Sequence, residues 1–74
     1  MNMNFKAKCI NNIKNYKYIK SGGFTQGKIY NVENGFLYCD NGVIWSSNIQ
    51  FDSVDSINKE MQRFGVAARF KSAD

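Results

Sequence analysis

The fold is decided by Gly27–Phe51, GKIYNVENGFLYCDNGVIWSSNIQF, which reads as three short strands joined by two reversals. Asn41-Gly42, between LYCD and VIW, is a two-residue hairpin signal, because both residues tolerate the positive φ of a type I′ turn. Glu33-Asn34-Gly35 predicts a second, slightly longer reversal with Gly35 in a left-handed position. Side chains alternate along each strand. Tyr30 and Val32 share one face, Leu37 and Cys39 share another, and Ile44 opposes Val43 and Trp45. The stretch is a twisted antiparallel meander whose apolar face needs a cover.

Upstream, residues 5–10 (FKAKCI) alternate Phe5, Ala7 and Cys9 against Lys6, Lys8 and Ile10, the pattern of a first strand. Residues 11–24 lose that periodicity and predict a long loop, in which Tyr16, Tyr18 and Phe24 interleave with Lys14, Lys17 and Lys20. Phe24 is expected to plug one end of the core. Thr25–Lys28 reads as a turn feeding a second strand, Ile29–Val32. Phe36–Asp40 and Val43–Trp45 are the third and fourth. Ser46–Ile49 fits one turn of 3₁₀ helix, and Gln50–Ser53 a brief fifth strand with Phe51 inward.

Downstream, Val54, Ile57, Met61 and Phe64 form the apolar stripe of a short amphipathic helix. Asp52 or Ser53 can cap its start, Asp55 sits early, Arg63 late, and Gly65 suits the position after its end. Val66, Ala68 and Phe70 then alternate with Ala67, Arg69 and Lys71. That pattern predicts a sixth strand on a sheet edge or a segment that pairs with another molecule. The chain therefore divides into a β unit, 1–53, and a helix plus terminal strand, 54–74, packed on it or extending it.

Seventy-four residues allow one domain, and 43% apolar content supplies it with a core. No apolar run approaches the ~20 residues of a membrane span, and the N-terminus lacks the apolar region of a secretory signal, so a cytoplasmic protein is expected. Cys9 and Cys39 alternate with apolar neighbours as reduced core thiols do, and with no His they cannot complete a metal site. Residues 1–30 hold six lysines and no acid, whereas residues 31–74 hold four basic and six acidic groups. That asymmetry can build a positive patch suited to a phosphate backbone or an acidic protein. The excess of Asn, Ile and Lys also fits an A/T-biased coding sequence, so the lysine count alone assigns no partner.

Catalytic groups are scarce. A Ser or Cys nucleophile needs a neighbouring base, and the chain contains no His. Helix capping accounts for Asp52 and Asp55. Gly22-Gly23 with Lys20 and Lys28 does not match the spacing of a phosphate-binding loop. No catalytic, cofactor-binding or metal residue is expected, and an enzyme is not.

Lys8-Cys9-Ile10-Asn11-Asn12, a long loop, Thr25-x-Gly27-Lys28-x-Tyr30-x-Val32, then Tyr38–Gly42, an aromatic residue, a short turn and Phe51 form an ordered set. In that order residues 7–53 resemble the small SH3-like β-barrel proteins of phages and mobile elements in low-GC Gram-positive bacteria. Trp45–Phe51 lacks the Pro and basic residue that members carry there. The resemblance implies a mainly β fold, an SH3-like antiparallel barrel of five to six strands with a long loop after strand 1, here followed by a short C-terminal helix. It also implies a non-catalytic protein-binding module with an aromatic groove beside that loop, formed by Lys14, Tyr16, Lys17, Tyr18, Lys20 and Trp45 and suited to an acidic host protein. A steric inhibitor of a host or anti-phage defence protein, inside a bacterial cell, is the concrete form. The same tyrosines and lysines also fit a DNA or RNA strand, by stacking and phosphate contact. Residues 54–74 offer a third possibility, a homodimer by edge pairing.

Overall fold

The computed structural model describes residues 3–12 and 23–73. The protein is mainly β. Among the described residues five antiparallel strands, β1 (Phe5–Asn11), β2 (Ile29–Glu33), β3 (Phe36–Tyr38), β4 (Ile44–Trp45) and β5 (Arg69–Ser72), form one sheet in the order β4-β3-β2-β1-β5, with one helix, α1 (Val54–Arg63). The alternation in β1 and β2 sends Ala7, Cys9, Tyr30 and Val32 to one face, where Leu37 of β3 and Phe70 of β5 join them. Phe24 lies at the centre of this core, edge-on to Tyr30 at 5.0 Å and to Phe70 at 5.1 Å. Such edge-to-face rings add specific attraction to the area they bury.

The helix forms where the stripe predicts it. Ser53 is its cap: Ser53 Oγ accepts from Ser56 N, and Ser56 Oγ accepts in return from Ser53 N. Ile57 and Met61 are fully buried over the sheet. At the other end Gly65 N donates to Gln62 O and Val66 N to Met61 O, the two bonds of a Schellman motif, with Val66 and Met61 both buried.

Two reversals are exchanged relative to expectation. Asn34 (φ 53) and Gly35 (φ 85) are both left-handed and Glu33 pairs with Phe36, so the two-residue type I′ turn lies here. At the second reversal Gly42 N donates to Cys39 O and Cys39 N to Val43 O, with Gly42 alone left-handed (φ 80). That is a three-residue loop, in which the Asn41 side chain accepts from Val43 N and Cys39 Sγ rather than Asn41 adopting positive φ. The third and fourth strands are correspondingly shorter than the sequence suggests. Gly35 is also the tightest glycine among the described residues. A Cβ there would lie 2.8 Å from Gln50 Cβ, because Gly35 N bonds Met3 O and Gly35 O accepts from Phe51 N.

Gln50–Ser53 is not a strand. Phe51 is inward as expected, held by that single bond to Gly35. Ser46–Ile49 is a turn closed by Ile49 N on Ser46 O, with Ser46 at φ 56, not a 3₁₀ helix. The terminal segment does add to an edge of the sheet, as β5 beside β1.

The sheet is open, which corrects the expected closed barrel of five to six strands. Closure would require β4 to bond β5, yet β4 holds two residues, and the Phe70 backbone groups of β5 are taken. Phe70 N donates to Asn58 Oδ1 (2.8 Å) and Phe70 O accepts from Asn58 Nδ2 (2.9 Å), so one side chain of α1 does for β5 what a sixth strand would do. Across the opening Trp45 stacks on Phe51 (6.1 Å) and meets Phe64 edge-on (5.9 Å). Edge pairing of a second copy at Phe70 would have to displace Asn58.

Candidate functional site

Lys14, Tyr16, Lys17, Tyr18 and Lys20 lie outside the described residues, so the expected loop contacts rest on sequence alone. Trp45, the other member of the expected groove, is half-buried against Phe51 and Phe64. It continues the core rather than standing clear of it.

The chain on the two sides of 13–22 is joined by a side-chain bond. Asn12 is buried, and its Nδ2 donates to Phe24 O. Beside this clamp is a polar cluster absent from the sequence reading. Asp40 Oδ1 accepts from the Tyr30 hydroxyl (2.6 Å) and from Lys28 Nζ (3.1 Å), and Oδ2 accepts from Thr25 Oγ1 (2.7 Å). Tyr30 Oη accepts in turn from Thr25 N (2.6 Å), and Asp40 N donates to Gly23 O. The hydroxyl and ammonium donors, Tyr30's first, bring the Asp40 carboxyl down to about 2. Burial first, and then the bond to Asp40, push the Tyr30 phenol up to about 12. The cluster ties the 23–28 segment to the β3–β4 turn, with the Asp40 carboxyl and the Tyr30 phenol held away from neutrality in opposite directions.

The sheet face opposite the core is the larger feature. Its outward positions include Lys6, Lys8 and Ile10 on β1, Ile29, Asn31 and Glu33 on β2, Phe36 and Tyr38 on β3, Ile44 on β4 and Lys71 on β5. No described element packs on it, since α1 buries Ile57 and Met61 on the other side. Lys8 and Lys71 are direct partners across β1 and β5, and Lys6 pairs with Asn31. Continuing the β2–β3 register places Tyr38 beside Asn31, with Ile44 as its partner on the far side. A shallow depression of about 390 Å³ runs along β1 and β2 and includes Lys6, Asn31 and Glu33 in its lining. The alternation of Lys6 and Lys8 was legible in sequence, but their meeting with Lys71 and Tyr38 depends on strand order and register.

A second surface lies at the open end. Phe64 and Val43 are more than half exposed, Trp45 is on the same side of its strand as Val43, and the Arg63 guanidinium stands 5.5 Å from the Phe64 ring centre. Arg69, by contrast, is spent internally on Val66 O and Ala68 O. Neither Cys9 nor Cys39 is in a disulfide; Cys9 is buried and Cys39 half-buried. Among the described residues no helix is long and apolar enough to cross a membrane. Comparison with family models, curated proteins and solved structures finds no match for this chain.

Proposed function

We propose that this chain is a non-catalytic protein-binding module of SH3-like design, whose contact with its partner is centred on the corner formed by Val43, Trp45, Arg63 and Phe64. The observation that carries this reading is the half-exposed Phe64 ring, wedged against Trp45 and covered by Arg63 at the end of an edge strand. Trp and Arg are the residue types that dominate binding energy at protein interfaces, and aromatics are enriched there. The SH3-like design is supported by five short antiparallel strands, the pairing of first strand with last, and the long connection after β1. The non-catalytic reading is supported by the absence of His and by the Tyr30–Asp40 pair, which holds its protons away from neutral pH.

The resemblance of residues 7–53 to phage and mobile-element proteins supports the fuller form, a steric modulator of a host or defence protein in a bacterial cell. The test is capture from a low-GC Gram-positive lysate by three immobilised forms: the native chain, Val43→Ser/Phe64→Ser, and Lys8→Gln/Lys71→Gln. A stoichiometric protein held by the native chain and lost only with the corner variant supports the reading. Capture indifferent to the corner variant contradicts it.

A further inference from the structure

We propose that the uncovered face of the sheet binds single-stranded nucleic acid, with Lys8, Lys71 and Lys6 on the phosphates and Tyr38 as the platform for a base. This surface is separate from the corner at Val43, Trp45 and Phe64, and its assignment does not depend on a protein partner.

Lys8 and Lys71 face each other directly across β1 and β5. Like charges at directly opposed positions of an antiparallel pair destabilise a sheet. Among the described residues Lys28 pairs with Asp40 and Arg63 with Glu60, and no described acid pairs with either of these two lysines. Most of the described acids lie elsewhere: Asp40 in the β3–β4 turn, Asp52 before α1, Asp55 and Glu60 on α1. Glu33 alone shares the face, at the far end of β2. The fold therefore concentrates positive charge on one side and keeps an unfavourable contact that an external anion relieves.

Aromatic surface decides which anion. Tyr38 and Phe36 are half-buried on the same face as the lysines, each keeping part of its ring open to solvent, and Asn31 lies between Tyr38 and Lys6 in the continued register. An acidic protein surface offers carboxylates to the lysines but no regular succession of flat faces on which the rings can stack. A duplex offers phosphates but hides the faces of its bases. An unpaired strand offers both, and stacked rings flanked by cations are how small β folds hold one without sequence preference. Asn31 supplies an amide able to donate to and accept from a base edge.

The test uses the full chain and fluorescence anisotropy of a labelled 12-nucleotide oligo-dT, with a 12-base-pair duplex for comparison. One phosphate for each of three lysines gives a slope of about −2 in log affinity against log salt, so binding should weaken roughly 18-fold from ~50 to ~200 mM salt. Lys8→Gln/Lys71→Gln should reduce that to under about 3-fold, by the same slope per phosphate. Tyr38→Leu should weaken binding about 5- to 150-fold, the range for loss of one stacked base, and Tyr38→Phe should restore most of it. Thermal melts establish that each variant is folded, and because Tyr38→Leu perturbs β3, the double lysine variant carries the test if that one fails to fold. No binding of oligo-dT at ~50 mM salt overturns the proposal, as does binding that ignores Lys8→Gln/Lys71→Gln. Equal affinity for duplex and single strand overturns the stacking assignment. A protein captured from lysate by the native chain and lost with the lysine variant, without oligonucleotide binding, gives the face to a protein instead.

Discussion

Asn58 is a residue for which two physical arguments predict opposite signs. Asn is a poor helix former, and replacing it by Ala in the middle of α1 should by propensity alone stabilise the helix by roughly 0.6 kcal/mol. Its amide, however, makes two bonds to Phe70, at 2.8 and 2.9 Å, at a partly buried edge. Each such bond contributes about 1 kcal/mol net, and losing the side chain leaves a peptide N–H and a C=O short of partners. The bonds outweigh the propensity, so Asn58→Ala should lower the free energy of unfolding by about 1.5 kcal/mol. In a domain of this size that is a fall in Tm of roughly 6–12 °C. Urea denaturation followed by circular dichroism measures it, with Lys59→Ala as the control that alters exposed helix propensity alone. Asn58→Asp keeps the acceptor for Phe70 N–H and should fall between the two. An Asn58→Ala chain as stable as the native one, or more so, would refute the clamp and with it the explanation of why the sheet stays open.

The remaining predictions address other parts of the structure. Asp40 has its carboxyl held at about 2 against an ordinary 3.8, so its contribution is complete above pH 3.8 and is lost as pH falls towards 2. The stability difference between the native chain and Asp40→Asn should accordingly shrink across that window, and a constant difference in acid melts would count against the cluster. Gly65→Ala meets open space and strains only its φ of 69, so it should cost about 1 kcal/mol. Gly35→Ala meets the same strain plus Gln50 Cβ at 2.8 Å and should cost measurably more; equal melting points would contradict the packing at that turn. Lys71→Glu replaces an opposed like pair with an attractive one and should stabilise by about 0.2–1 kcal/mol, an effect that fades with added salt.

Much of this architecture was legible because it is local. β1 and β2 follow from strict alternation around Ala7, Cys9, Tyr30 and Val32, and α1 from the Ile57 and Met61 spacing between Ser53 and Gly65. What escaped is non-local. Asn34-Gly35 and Asn41-Gly42 are equivalent turn signals in sequence. They differ in the fold because Gly35 is pressed against Met3 and Gln50, while the Asn41 side chain bonds Val43 N. Barrel closure hung on a single interior Asn in a helix, which carries no signature beyond its poor propensity. The Tyr30–Asp40 cluster joins groups ten positions apart whose meeting requires the hairpin register. The same holds for the candidate face. Lys6 and Lys8 were visibly outward, but Lys71 reaches them only because the last strand pairs with the first.

The uncovered sheet face as working surface is tested most directly by titrating the isotopically labelled full chain with oligo-dT and following amide shifts residue by residue. Changes should cluster at Lys6, Lys8, Asn31, Tyr38 and Lys71, with Ile57 and Met61 unmoved. Changes centred on Val43, Trp45 and Phe64, or none anywhere, would contradict it.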